Sequence, residues 1–126
     1  MNNQRKNIIQ EKTFNFSLKS IELYKVLASK NEYVLSKQFL RSATSIGANV
    51  EESAAAQSKK DFISKMAIAS KEARETKYWL RLLNHSQIIQ YDYTYYLEEI
   101  EAIIRILTSI VKSAQAKAKN ESVHDR

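Results

Sequence analysis

Proline and cysteine are both absent from this chain of 126 residues, and its one glycine is Gly47. Without the residues that close hairpins and tight turns, a β-rich fold is not expected. The missing cysteines remove disulfides, thiolate metal sites and cysteine nucleophiles together, and with them a secreted disulfide scaffold. Apolar runs are only a few residues long, against the ~20 that a spanning helix needs, so no membrane partner is expected. The N-terminal MNNQRKNIIQEK holds no apolar stretch of signal-peptide length, and a cytoplasmic location is expected by default. What remains is 44% apolar residues, enough for the core of one domain spanning residues 1–126.

Catalytic patterns are equally scarce. The two histidines, His85 and His124, have no second ligand or base at a motif spacing. There is no Glu-x-x-His element for a di-iron bundle and no glycine-rich phosphate loop. Asp61, Glu51-Glu52 and Glu98-Glu99 read as caps, dipole partners or surface charges. No enzyme activity, metal or cofactor is expected.

Helical periodicity is abundant. A first helix is expected from about Thr13 to Ser29, with Phe16, Ile21, Leu23, Tyr24 and Leu27 on its apolar face. A second, from Tyr33 to Ala56, carries the small and partly polar seam Leu35, Phe39, Ser42, Ile46, Asn49, Ser53 and Ala56. Ser58 followed by Asp61 is a capping-box pattern and opens a third helix, whose seam is Phe62, Met66, Ala69, Ala73, Thr76, Leu80 and Leu83. Asn84–Tyr91 is the expected connection and Asp92 the expected N-cap of a fourth helix. That helix repeats Tyr93, Leu97, Ile100, Ile104, Leu107, Val111, Ala114 and Ala118, with acids early and bases late along the dipole. The segment 1–12 and the tail 119–126 are expected to be flexible. Short links between such helices predict an all-α, up-down-up-down antiparallel four-helix bundle.

Two features go beyond a simple core. A second apolar column on the fourth helix, Tyr96, Ile103 and Ile110, and Trp79 beside the third seam either thicken the protomer's core or form a subunit interface. In the second helix, Gly47 costs about 1 kcal/mol relative to alanine, and Ala43 with Gly47 forms a small-residue strip for close backbone approach. Ser42, Thr44, Ser45 and Asn49 add groups able to bond across helices. The strip is either a polar seam that fixes register or a ligand or partner site.

The local pattern Arg41-Ser42-Ala43-Thr44-Ser45-Ile46-Gly47-Ala48-Asn49-Val50-Glu51-Glu52, then Asp61-Phe62-Ile63, then Lys71-Glu72-Ala73-Arg74-Glu75-Thr76-Lys77-Tyr78-Trp79-Leu80, resembles the bacterial S23 family of 23S rRNA intervening-sequence proteins. The resemblance runs from about Phe16 to Lys112, with Ala43 where glycine is common and Ser53 where alanine is common. It implies four-helix protomers assembled as homopentameric rings, some encoded within insertions in ribosomal RNA genes. A related protein, the accessory variability determinant of diversity-generating retroelements, is a basic pentameric barrel that binds nucleic acid and a reverse transcriptase. The resemblance supplies no catalytic residues.

Charge offers the functional hint. Lysine and arginine number 20 against 14 acids, a net charge of +6, which suits a polyanion partner such as RNA or DNA. From Lys59 to Leu83 there are seven bases and three acids. Lys60, Lys71, Arg74 and Arg81 share one column of the third helix, with Tyr78 between them and Lys77 nearby. Such a column can track phosphates while Tyr78 stacks on a base. The competing reading is a solvated face in which Glu72 and Glu75 pair locally with Lys71, Arg74 and their neighbours. A scaffold that binds a protein partner without nucleic acid is the alternative function.

Overall fold

The four helices start and stop where the chain supplies partners for their unpaired backbone groups. In the computed structural model, which describes residues 3–124 and the side chains of residues 8–122, they are α1 (Asn3–Ser29), α2 (Val34–Ala54), α3 (Lys59–Ser86) and α4 (Thr94–His124). α1 ends in a Schellman arrangement: the Asn31 N–H donates to Ala28 O and the Glu32 N–H to Leu27 O, with Asn31 left-handed at φ 67°. The buried Glu32 carboxylate then caps α2, accepting the N–H groups of Val34, Leu35 and Ser36 at 3.1, 3.2 and 2.7 Å. α3 opens with Ser58 Oγ accepting the Asp61 N–H at 3.0 Å. It closes on left-handed Gln87, whose N–H donates to Leu83 O. Asp92 Oδ1 accepts the Thr94 N–H at 3.0 Å as α4 begins, and hydrogen bonding from the Thr94 side chain, with this backbone bond second, holds the carboxyl below its ordinary range.

Each helix packs on the next, and α1 closes the ring more sparsely against α4. Cross-links run in opposite directions along the α2–α3, α3–α4 and α1–α4 pairs, which establishes the antiparallel arrangement. Lys59 pairs with Glu121 and Lys77 with Glu101 between α3 and α4. Arg41 pairs with Glu75 and Lys65 with Glu52 between α2 and α3. Lys12 pairs with Glu99, and the Tyr96 hydroxyl donates to Lys19 O, between α1 and α4. The fold is therefore the expected four-helix bundle. No helix is long and apolar enough to cross a membrane among the described residues.

Several expectations need correction. α1 begins at Asn3 rather than Thr13, because Ile9 and Thr13 are buried and extend the core face by more than a turn. α4 likewise continues through residues 119–124. Of the segments expected to be flexible, residues 1, 2, 125 and 126 lie outside the described residues. Ile21 is exposed, since the buried stripe of α1 runs through Ile9, Phe16, Leu23 and Leu27.

On α2 the core face is centred on Phe39, Ala43, Ile46 and Val50, which leaves Asn49 at its flank. On α4, Tyr96, Ile103 and Ile110 are buried inside the protomer, which is the core-thickening one of their two readings. Of the expected seam, Tyr93, Ile100 and Leu107 are fully buried as expected, whereas Leu97, Ile104 and Val111 are half-buried. Both columns are apolar, so periodicity alone does not choose which points inward.

Candidate functional site

The α3 column follows from the same winding that buries Met66, Ala69, Ala73, Thr76, Leu80 and Leu83. With that stripe inward, Lys60, Lys71, Arg74, Tyr78 and Arg81 are exposed together. Glu72 and Glu75 do not pair with Lys71 or Arg74. They are drawn to Arg41 on α2, which lies 3.4 Å from Glu72 and bonds directly to Glu75. Glu75 also accepts the Trp79 indole N–H at 3.0 Å. These exposed pairs contribute at most about 1 kcal/mol each. Their larger consequence is electrostatic: Lys60, Lys71, Arg74 and Arg81 form no ion pair among the described residues. Lys77 is different, being half-buried and paired with Glu101, and it leaves the column.

The column borders a groove of about 300 Å³ between α3 and α4. Ser70, Lys71 and Arg74 line one side, and Thr108, Lys112 and Gln115 the other, with no acidic residue among them. The α4 residues were not singled out from the sequence. A signal was present, since Arg105, Thr108, Lys112, Gln115 and Lys119 recur at helical spacing on one face. Tyr78 sits one turn beyond Arg74, half exposed, with its ring 5.2 Å from that of Trp79 in an edge-to-face contact.

The other candidate residues take structural places. A Cβ on Gly47 would lie 3.3 Å from Ser17 Oγ and 3.4 Å from the Thr13 carbonyl, so α1 and α2 approach closely there. Ala43 is fully buried, and Trp79 is half-buried against the core. Asn49 donates to Ser45 O of its own helix at 2.8 Å, and Thr44 and Ser45 also bond back within α2. Within the second-helix strip, Ser42 is bonded across to α3, accepting from the Thr76 hydroxyl. His85 is exposed, and no group of three or more histidine, aspartate or glutamate side chains able to hold a metal occurs among the described residues.

These features define an antiparallel four-helix bundle protein with a basic face on α3 and α4. The chain belongs to the 23S rRNA-intervening sequence protein family, whose model matches residues 5–109. It is similar to the crystal structure of a protein of unknown function from the S23 ribosomal protein family of Bacteroides thetaiotaomicron. The two share 44% sequence identity, with 86% of this chain and 98% of that chain covered and a TM-score of 0.81. Neither description indicates an enzymatic activity. No curated protein matches the chain.

Proposed function

We propose that the protein is a non-enzymatic, homo-oligomeric bundle that binds RNA or DNA weakly and with little sequence preference through the exposed face of α3. The observation that carries this reading is the diversion of Glu72 and Glu75 to Arg41, which leaves Lys71 and Arg74 available to phosphates. Lysines and arginines in an open column neutralise phosphates but offer no fixed geometry toward base edges, so affinity arises mainly from released counterions. A ring of five protomers, which the family resemblance implies, multiplies a weak patch by effective concentration. Self-association is supported by a second feature. Phe14, Leu18 and Ile21 form an exposed apolar stripe on α1, spaced by four and three residues.

Fluorescence anisotropy with single-stranded RNA and with duplex DNA, from low to physiological salt, tests the reading. Binding should weaken steeply with salt. Changing Lys71, Arg74 and Arg81 together to glutamine preserves helix propensity and should abolish most of it. Unchanged binding by a folded triple variant would reduce the column to a solvated face. Absence of binding by the parent at low salt would favour the alternative, a scaffold for protein partners.

A further inference from the structure

The buried serine and threonine hydroxyls of these helices, with one exception, find a hydrogen-bond partner, almost always a carbonyl three or four residues earlier. Thr13, Ser20, Ser36, Ser42 and Ser53 bond back in this way in the buried interior and Thr76 reaches Ser42, while Ser17, Thr44 and Ser45 bond back nearer the surface. Ser70 does not. The residue is 8% exposed, its hydroxyl makes no hydrogen bond among the described residues, and it lines the groove between α3 and α4. Thr108, half-buried on the opposite wall, is likewise unbonded. No fully buried side-chain oxygen or nitrogen lacks a partner among the described residues, so the Ser70 hydroxyl is open at the groove and free to donate to a ligand there.

The cations are placed with the same repeat. Arg74 follows Ser70 by four residues on α3, and Lys112 follows Thr108 by four on α4, so on each helix a free hydroxyl stands one turn from a basic side chain. Lys71 completes the rim, and no ion pair occupies Lys71, Arg74 or Lys112 among the described residues. Two hydroxyl donors between three cations suit a tetrahedral oxyanion, which accepts several hydrogen bonds at once.

We propose that this two-helix groove seats a backbone phosphate of a single nucleic-acid strand, with Ser70 and Thr108 as hydroxyl donors and Lys71, Arg74 and Lys112 as counter-charges. The groove's volume is at the small end of ligand-binding clefts, room for one phosphate and its neighbouring atoms. Tyr78, one turn beyond Arg74, offers its exposed face to a base, and only an unpaired strand has a base face to give. The inference rests on the nucleic-acid reading above and adds to it the α4 wall, the hydroxyl pair and the preference for a single strand.

The test measures anisotropy of a fluorescein-labelled oligo-uridylate RNA with the parent and with Ser70→Ala, Thr108→Val and Lys112→Gln. Circular dichroism melts confirm folding, and Lys25→Gln on exposed α1 controls for lost net charge. Ser70→Ala and Thr108→Val should each weaken binding on the order of fivefold with the salt slope unchanged. Lys112→Gln should weaken binding and lower the slope by about 0.7. Lys25→Gln should bind nearly as the parent does. An unlabelled single strand should compete better than duplex DNA of the same length. If the parent binds and the Lys71, Arg74, Arg81 triple variant does not, while the three groove variants match the control, the phosphate seat is wrong and the α3 column stands. If the parent itself binds no RNA at low salt, both the seat and the nucleic-acid reading fail.

Discussion

The Thr76 hydroxyl meets the Ser42 hydroxyl at 2.9 Å in the buried seam between α2 and α3, while Ser42 donates onward to Phe39 O. Small polar side chains thereby replace apolar ones where the two helices pack, and each has its partner. Thr76→Val keeps the shape and removes the link, which should cost about 1 kcal/mol. Adding Ser42→Ala should cost less than the two single changes summed, because the shared bond is lost only once. Chemical denaturation of the four proteins in a double-mutant cycle should give a coupling of about 0.5 to 1.5 kcal/mol. Strict additivity would show that the bond contributes nothing.

Gly47 faces α1 with little room. Alanine at an unconstrained helix position would stabilise by about 1 kcal/mol. Here the added methyl would press on Ser17 Oγ, 3.3 Å away, so the serine, which is bonded to the Thr13 carbonyl, must give by a few tenths of an ångström. The carbonyl itself, at 3.4 Å, stays in ordinary contact. The carbonyl is fixed in α1, whereas the serine can be removed. Gly47→Ala should therefore lower the melting temperature of the parent and raise that of a Ser17→Ala protein. A rise in both backgrounds would refute the close contact.

How much of this was legible in the sequence depended on how strongly one face differed from the other. The α3 seam reads correctly from Phe62 to Leu83 because Ala69, Ala73 and Thr76 are flanked by charges that exclude any other winding. On α4 the column Tyr93, Ile100 and Leu107 reads correctly and its companion does not, because Tyr96, Ile103 and Ile110 are as apolar as Leu97, Ile104 and Val111. Only packing against α1 and α3 settles which column turns inward. The start of α1 was lost for a different reason: Ile9 lies among polar residues, and its burial comes from the neighbouring helices. The Glu32 cap was equally hidden, since glutamate is an unusual capping residue and this one works by reaching forward to three N–H groups at once. At the candidate site, the sequence showed the α3 cations but not that Arg41, 34 residues before Glu75, would take up the acids between them.

The two apolar stripes should respond oppositely to charge. Ile103 and Ile110 are fully buried, so a glutamate there must desolvate a carboxylate or open the core, and either outcome should unfold the protomer. The milder Ile103→Ala should cost about 2 to 5 kcal/mol. Leu18 is half exposed between Phe14 and Ile21, and Leu18→Glu should leave the melting of a lone protomer nearly unchanged. If the α1 stripe joins protomers, sedimentation equilibrium should show the parent at several times 14.6 kDa and Leu18→Glu at the mass of one chain. A parent that stays monomeric at micromolar concentration would remove the oligomer. A folded Ile103→Glu monomer would return that residue to an interface.

Tyr96 gives the bundle a dependence on alkaline pH. Its ring packs edge-to-face on Phe16 and Phe39, and its hydroxyl donates to Lys19 O at 2.8 Å. Burial is the main reason its pKa is pushed up from 10.0 to about 12. The folded state therefore holds the phenolic proton more tightly than the unfolded chain does. The resulting stability is fully present below about pH 10 and is lost as pH rises from 10 to 12, by at most about 1.4 kcal/mol per pH unit. Tyr96→Phe removes both the hydrogen bond and the titration. Near neutral pH it should be less stable than the parent by about 1 kcal/mol. Above pH 10 the parent should lose stability faster, so the gap should close and then reverse. Denaturation of the two proteins at a series of alkaline pH values measures this. The ultraviolet difference between them on titration should show the Tyr96 phenolate emerging near pH 12. If that phenolate emerges near pH 10, the hydroxyl is not held in a buried site.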